Sequence, residues 1–165
     1  MHRFVFPIIG LVVAGHQIAR LLLFPLAATH GGIIEVAPFF NFVEVWNHGV
    51  SFGMFKGMAY GQWLLSGLSL IITAALLFLL SRTKDRFSIA AYSLVIGGAI
   101  GNVIDRLRFG AVADYLDFHL SGYHWPAFNV TDMAIVSGVF LLLAVHTWPE
   151  ERAINSRKPI EENAP

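Results

Sequence analysis

The 165-residue sequence contains no cysteine and little charge. Without cysteine there can be no disulfide framework, no zinc-thiolate site and no cysteine nucleophile. Charged residues make up 13% of the chain, against about 25% in soluble domains. Basic and acidic residues balance at 11 each, without a long block of either sign, so nothing indicates nucleic acid or a polybasic lipid contact as a partner. Hydrophobic residues supply 56% of the chain, which is typical of a membrane protein.

Four long apolar stretches stand between the polar segments. A helix rises about 1.5 Å per residue, so about 20 residues cross a hydrocarbon layer about 30 Å thick. The sequence predicts four transmembrane helices, at residues 4–24, 62–81, 88–107 and 129–148. We expect a single membrane domain over residues 1–165, with outer connections at 25–61 and 108–128 and a polar cytoplasmic tail at 149–165.

Basic residues indicate how the helices cross the membrane. The short loop between the second and third helices and the C-terminal tail hold six of them: Arg82, Lys84, Arg86, Arg152, Arg157 and Lys158. The long segment 25–62 holds only Lys56. Because cytoplasmic loops carry the excess of Lys and Arg, we expect both termini inside and the two long connections outside.

The outer connections have the composition of strands. The stretch "IIEVAPFFNFVEVW" (33–46) is β-branched and aromatic with a break at Pro38, which indicates two short strands, and residues 111–120 indicate a third. The predicted fold class is therefore an integral membrane protein, mainly α, whose four transmembrane helices carry a small β-sheet cradle on the outer membrane surface. The small residues 97–101 would let the third helix approach a neighbour closely.

Polar side chains from separate segments are predicted to gather at the outer membrane face. They come from the end of the third helix, the start of the fourth and both outer connections: Asn102, Asp105, Arg106, Asn129, Asp132, Asp114, Asp117 and Asn47. Two neighbouring carboxylates cannot both ionise comfortably, so one becomes an acid and the other a base. Such a pair can activate water against a peptide carbonyl without a metal. The candidates are Asp132 with Asp114, Asp117 or Asp105.

Each of these residues also has a simpler interpretation. Asp132 fits an acid in the first turn of a helix capped by Asn129. Asp105 and Arg106 are typical of interfacial charges at a helix end. Asp117 fits a wetted strand residue.

Other functional classes stay open at this point. A transporter or proton channel could use Asp132, His16 and Arg20 as a relay through the bundle. A structural membrane subunit would use the asparagines for packing alone. His119 and His124 lie near aspartates, but no HExxH or comparable metal-binding spacing is present.

Three segments together resemble a known family. "NHGVSFGMF" (47–55), "GGAIGNVIDRLRFGAVADYLDF" (97–118) and "PAFNVTDMAI" (126–135) are similar, in order and spacing, to the signature segments of lipoprotein signal peptidase, the bacterial signal peptidase II. The resemblance implies an aspartic endopeptidase that cleaves diacylglyceryl-modified prolipoproteins before the lipid-modified cysteine. It implies a monomer of the bacterial cytoplasmic membrane, without cofactor or metal, whose site faces the periplasm. It also implies inhibition by globomycin-type peptides.

The resemblance also assigns roles to residues. It implies that Asp114 and Asp132 are the catalytic pair and that Asp105 and Asp117 have supporting roles. The implied network of polar and substrate-binding residues is Asn47, Asn102, Arg106 and Asn129. Of these, we expect Arg106 to brace the outer cradle or to meet lipid headgroups.

The first helix departs from the family pattern. The family reads DQxxK where this sequence has "HQIAR", with His16, Gln17 and Arg20. A neutral histidine both donates and accepts a hydrogen bond, whereas an aspartate only accepts. We expect His16 to be buried in the bundle, neutral, and part of the polar network of the site.

Overall fold

Four apolar helices form the body of the protein. The computed structural model describes residues 2–49 and 61–155, including the side chains of 3–49 and 61–147. A 3₁₀ turn at His2–Phe4 precedes helices α1 (Val5–Thr29), α2 (Gly61–Arg82), α3 (Arg86–Phe109) and α4 (Val130–Asn155). All four are long and apolar enough to span a membrane, which confirms the predicted spans. Outside the described residues lie 50–60 and 156–165. These two ranges include part of the first signature segment and part of the predicted tail.

Two helix ends differ from the sequence prediction. Helix α1 continues past Phe24 and through Pro25 to Thr29. A proline inside a helix costs about 3 kcal/mol, but Phe24 and Ala27 are buried at this end, and Phe24 packs against the sheet residues Ala113 and Tyr115. Helix α4 also continues to Asn155, beyond the predicted start of the tail at residue 149, although its candidate membrane span ends at Thr147. Alanine, glutamate and arginine in this stretch are good helix formers, so the helix continues beyond the end of the apolar residues.

Helix α3 is the central helix of the bundle. In its most apolar stretch of 18 residues, 67% of the residues are buried. The corresponding share is 22% or less in each of the other three helices. Its N-cap, Asp85, accepts a hydrogen bond from the Ser88 backbone N–H at 2.7 Å. Its C-cap, Gly110, adopts a left-handed conformation with φ 75° and donates its N–H to the Arg106 carbonyl at 2.9 Å. Both ends of the helix that carries Asn102 are thus fixed.

Glycines let α3 and α4 pack closely. A Cβ on Gly98 would lie 2.5 Å from the Thr131 carbonyl oxygen and 2.6 Å from Ile135. A Cβ on Gly101 would overlap the methyl group of Thr131. The expected close approach of the third helix is confirmed, and its partner is the start of α4.

A four-stranded antiparallel sheet covers the end of the bundle at which α1 and α3 finish, which we call the sheet end. In spatial order its strands are β1 (Ile33–Ala37), β2 (Phe40–Asn47), β3 (Val112–Leu120) and β4 (Tyr123–His124). The three predicted strands are confirmed. The fourth was not predicted, because a strand of two residues has no periodicity to recognise.

A buried carboxylate ties the sheet to the bundle. Asp105 is fully buried and accepts hydrogen bonds from His16 Nε2 at 2.9 Å, Gln17 Nε2 at 2.8 Å and the Ala113 backbone N–H at 3.1 Å. It therefore joins α1, α3 and β3. The interpretation of Asp105 as an interfacial charge is wrong, because the turn after α3 folds β3 back over it.

We predict that Gly98→Ala destabilises the protein, because the new methyl group has no room against the α4 backbone. Overpacking of this kind typically costs about 1–3 kcal/mol. The matched control is Gly67→Ala on α2, where a Cβ would meet nothing within 4 Å. Thermal unfolding in detergent should show a lower midpoint for Gly98→Ala alone. Equal midpoints would contradict the close packing of α3 on α4.

We also predict that His16→Leu destabilises the fold more than His16→Gln. Leucine removes a donor from a buried carboxylate, a loss of about 1–3 kcal/mol, whereas glutamine retains a donor. His146→Leu, an exposed histidine near the opposite end of the bundle, serves as the control. The same unfolding assay distinguishes them. Identical midpoints for the leucine and glutamine variants would mean that the bond to Asp105 contributes nothing.

Candidate active site

Two aspartates meet where the sheet joins the start of α4. Asp114 lies on β3, opposite Val45 of β2. Two residues later, Leu116 and Phe128 exchange backbone hydrogen bonds of 2.9 and 3.0 Å. This pairing holds the chain that leads into α4 against β3. It brings Asn129, the residue before the helix, next to Asp114.

Asn129 contacts both aspartates. Its side-chain Nδ2 donates to Asp114 Oδ1 at 2.7 Å, and its backbone N–H donates to Asp132 Oδ2 at 3.3 Å. Its Oδ1 caps α4 by accepting the backbone N–H groups of Thr131 at 2.7 Å and Asp132 at 3.1 Å. The cap fixes which end of the amide faces Asp114. One residue therefore starts the helix and sets the two carboxylates relative to each other.

The remaining two carboxylate oxygens also accept amide hydrogens. Asn47 Nδ2 donates to Asp114 Oδ2 at 2.9 Å, and Asn102 Nδ2 donates to Asp132 Oδ1 at 3.1 Å. All four oxygens are thus held by uncharged donors from β2, α3 and the start of α4. In the part of the chain that the structure describes, no Lys, Arg or His lies within 4.0 Å of either carboxylate. Amide hydrogen bonds therefore orient the two carboxylates, and no close cation among the described residues neutralises their charge.

The surroundings favour a proton on Asp114. This side chain is 2% exposed. Burial raises its pKa to about 7, and the charge of Asp132 adds to the rise, while hydrogen bonds from Asn47 and Asn129 and the charge of Arg106 oppose it. At neutral pH such a carboxyl group is protonated in some of the molecules and ionised in the others. It is poised for proton transfer.

A cavity of about 680 Å³ opens beside the pair. Asp132 and Arg106 supply its polar wall, together with Asn47 and Asn102. Apolar residues of α2 and of the 125–128 segment supply most of the rest, including Leu65, Leu68, Ile72, Trp125 and Phe128. The cavity combines a mostly apolar lining with a few convergent polar groups, as ligand sites commonly do.

Arg106 lines this cavity. Its Nε is buried and has no hydrogen-bond partner among the described residues. The guanidinium is close enough to lower the pKa of Asp114, yet it forms no ion pair within 4.0 Å in the described part of the chain. The expectation that Arg106 braces the outer cradle or meets lipid headgroups stays a prediction. A long side chain one turn beyond Asn102 projects toward the same face of α3.

His16 is buried, as expected, but it does not touch the catalytic candidates. Its Nε2 bonds Asp105, and its Nδ1 lies 3.4 Å from the Tyr115 hydroxyl. Because Asp105 also accepts the Ala113 N–H, His16 is linked to the residues on both sides of Asp114, Ala113 and Tyr115. His16 supports β3 from the bundle side, through Asp105.

Arg20 also lies outside the pair. Its guanidinium stacks 4.4 Å from the centre of the Phe109 ring and its Nε is 3.9 Å from Asp105 Oδ1. The buried polar side chains that the structure describes toward the opposite end of the bundle are Thr73, Ser88 and Ser93. None of these side chains titrates near neutral pH.

Sequence reasoning missed two contributors. Thr131, fully buried between Asn129 and Asp132, contacts the amide oxygens of Asn102 and Asn129. A threonine in the first turn of a helix, between two site residues, was the available signal. The hydroxyl of Tyr115 accepts the Val130 N–H at 3.3 Å, and burial raises its pKa to about 12.

Asp117 forms a separate cluster on the sheet. It is 6% exposed, accepts from Asn41 Nδ2 at 2.9 Å and pairs with His124 Nδ1 at 2.9 Å. The interpretation of Asp117 as a wetted strand residue is wrong. His119 stacks on His124, but no group of three or more His, Asp or Glu side chains in the described ranges is arranged to hold a metal.

Sequence comparison identifies relatives over most of the chain. The profile described as signal peptidase (SPase) II matches residues 8–148. The lipoprotein signal peptidase of Anaplasma phagocytophilum (strain HZ) is 41% identical over 138 residues, which cover 84% of this chain and 88% of that protein. The lipoprotein signal peptidase of Serratia marcescens is 38% identical over 136 residues, covering 82% and 79%.

Solved structures show the same fold. Two structures described as bacterial membrane enzymes superpose with TM-scores of 0.73 and 0.71, at 27% and 30% identity. The first covers 98% of this chain and 94% of the other chain, and the second covers 86% and 90%. Four apolar spans, the sheet and the profile match agree, and the chain therefore belongs to the signal peptidase II family.

Proposed function

We propose that this protein removes the signal peptide from diacylglyceryl-modified prolipoproteins, by aspartic-type hydrolysis of the bond before the lipid-modified cysteine. The observation that carries the proposal is the pair Asp114 and Asp132, held by one residue, Asn129, at the edge of a mostly apolar cavity. Family membership supports the substrate class. Among the described residues no cation lies within 4.0 Å of either carboxylate, which supports the aspartic mechanism because a close cation would hold both groups ionised.

The two aspartates have different tasks in this proposal. Asp114 is the acid, which the rise of its pKa to about 7 supports. Asp132 is the base, which its position in the cavity wall supports, since water and substrate enter from that side. Asn102 and Asn129 orient Asp132, and Asn47 and Asn129 orient Asp114.

Hydrolysis then proceeds in two proton-balanced steps. In the first, Asp132 takes a proton from water as the water oxygen bonds to the carbonyl carbon, and Asp114 gives its proton to the carbonyl oxygen. In the second, Asp132 gives its proton to the leaving nitrogen, the C–N bond breaks, and a hydroxyl proton of the diol returns to Asp114. The pair ends in its starting state, and the products are a carboxylic acid and an amine.

The position of the site fits a lipid-anchored substrate. We propose that the sheet end lies at the outer membrane face, with both termini in the cytoplasm, as the distribution of basic residues indicates. Exposed Trp125, Tyr123 and Leu120 then lie near the headgroup level. Acyl chains of the substrate would stay in the bilayer while the peptide bond meets the pair. We propose that a monomer suffices and that globomycin-type peptides occupy the same cavity.

Asp114→Asn and Asp132→Asn should each lower cleavage of a lipidated prolipoprotein by about 10²- to 10⁴-fold, the usual contribution of a general acid or base. Asp85→Asn, an exposed cap at the other end of α3, is the control and should keep the parental rate. The purified variants are compared on lipidated and unlipidated precursors. Parental cleavage by either site variant would contradict the mechanism.

Activity should fall as the pH rises above about 7, because Asp114 then loses the proton that the first step needs. Asn47→Ala removes a donor that holds the pKa of Asp114 down, so this decline should move to higher pH. Asn41→Ala removes an amide from the same strand without touching the pair and should leave the decline in place. The measurement is kcat/KM against pH for the three proteins. An unmoved decline in Asn47→Ala would show that Asp114 does not supply the proton.

A further inference from the structure

Thr131 occupies a position between the two asparagines that hold the aspartates. It is fully buried, and its Oγ1 lies 2.5 Å from Asn102 Oδ1 and also contacts Asn129 Oδ1. Both neighbours are carbonyl oxygens, which only accept hydrogen bonds. The hydroxyl has a single proton, so it can serve one of them at a time.

Most of the amides around the pair have a fixed orientation. Asn129 Oδ1 accepts two backbone N–H groups of α4, and Asn47 Oδ1 accepts the Gly49 N–H at 3.1 Å. Neither amide can turn round without losing these bonds. Asn102 is different, because its Oδ1 has only the Thr131 hydroxyl as its partner among the described residues. Of the three side-chain amides that bind the pair, Asn102 alone is free to reverse.

Reversal of Asn102 matches a change of charge on Asp132. When Asp132 is ionised, Asn102 Nδ2 donates to its Oδ1 and the Thr131 hydroxyl donates to Asn102 Oδ1. When Asp132 Oδ1 carries a proton, that proton needs an acceptor, which a reversed Asn102 provides. Asn102 Nδ2 then donates to Thr131 Oγ1, and the hydroxyl turns to donate to Asn129 Oδ1. The Thr131 hydroxyl proton, the Asn102 N–H on this line and, where it is present, the Asp132 proton each have an acceptor in both arrangements.

We propose that Thr131 is a positioning residue, whose hydroxyl turns together with the Asn102 amide to hold Asp132 in both its ionised and its protonated form. The proposal rests on the function proposed above, in which Asp132 gains and loses one proton per cycle. Without the hydroxyl, the reversed Asn102 would have a buried N–H without an acceptor, and the protonated form would be the less well held.

Other charged groups near Asp132 do not take part in this exchange. They come from the elements packed around it: Asp114 and Tyr115 on β3, Arg106 on α3 and His16 on α1. None of them forms a hydrogen bond with the Thr131 hydroxyl in the described structure. Changing that hydroxyl therefore tests Asn102 and Asp132 with little direct effect on the other groups.

The experiment replaces Thr131 with Val, which keeps the shape, and with Ser, which keeps the hydroxyl. We expect Thr131→Val to lower kcat about 5- to 10-fold, the scale of one hydrogen bond, with KM on the lipidated precursor nearly unchanged. The acid limb of its kcat profile should move to lower pH, because protonated Asp132 is less supported. Thr131→Ser should restore both. The matched control is Thr73→Val on α2, which removes a buried hydroxyl that has no partner among the described residues.

The outcomes separate this proposal from the proposed function. If Thr131→Val matches Thr73→Val in kcat and in pH profile, while Asp114→Asn and Asp132→Asn remain inactive, the role of Thr131 is refuted and the function stands. If the aspartate variants cleave normally, the aspartic mechanism on which this proposal rests is wrong. If valine does not fit beside Gly101, Thr131→Ser is compared with Thr131→Ala instead. Both variants lack the methyl group of threonine, and only the serine variant keeps the hydroxyl. Equal kcat in that pair would also overturn the proposal.

Discussion

The site depends on the double contact that Asn129 makes with the two aspartates. Burial of carboxylates costs several kcal/mol unless hydrogen bonds or opposite charges compensate for it. A close cation would compensate well, but it would also keep both groups ionised and remove the acid. Amide donors hold the oxygens in place and allow the pair to retain a proton. Asn129 performs this task with its side chain on Asp114 and its backbone on Asp132.

Two supports outside the site make that contact possible. The first is the close packing of α3 against α4 at Gly98 and Gly101, which brings Asn102 to the level of Asp132. The second is buried Asp105, which binds the Ala113 N–H and so fixes β3 one residue before Asp114. His16 belongs to the second support. It makes no hydrogen bond to Asp114 or Asp132 in the described structure.

The sequence predicted the parts of the structure that have a strong local pattern. Apolar length located the four spans, and β-branched composition located three strands. It failed where tertiary contacts decide. Packing of Phe24 on the sheet carries α1 through Pro25. Asp105 and Asp117 looked like surface charges, but β3 covers Asp105, and Asp117 on β3 is buried against Asn41 and His124. The resemblance pointed to Asp114 and Asp132. The hydrogen bonds of Thr131 and the direction of Arg106 depend on rotamers and on helix contacts, which no local pattern encodes.

The central claim is that one proton resides on this pair, on Asp114, near neutral pH. Infrared spectroscopy of the intact protein with isotope-labelled aspartate measures it directly, through the carbonyl stretch of a protonated carboxyl group. The account predicts that such a band is present below pH 7, declines above it and is missing in Asp114→Asn. A protein that shows no protonated aspartate at pH 6, or a band that persists unchanged in Asp114→Asn, would contradict the account.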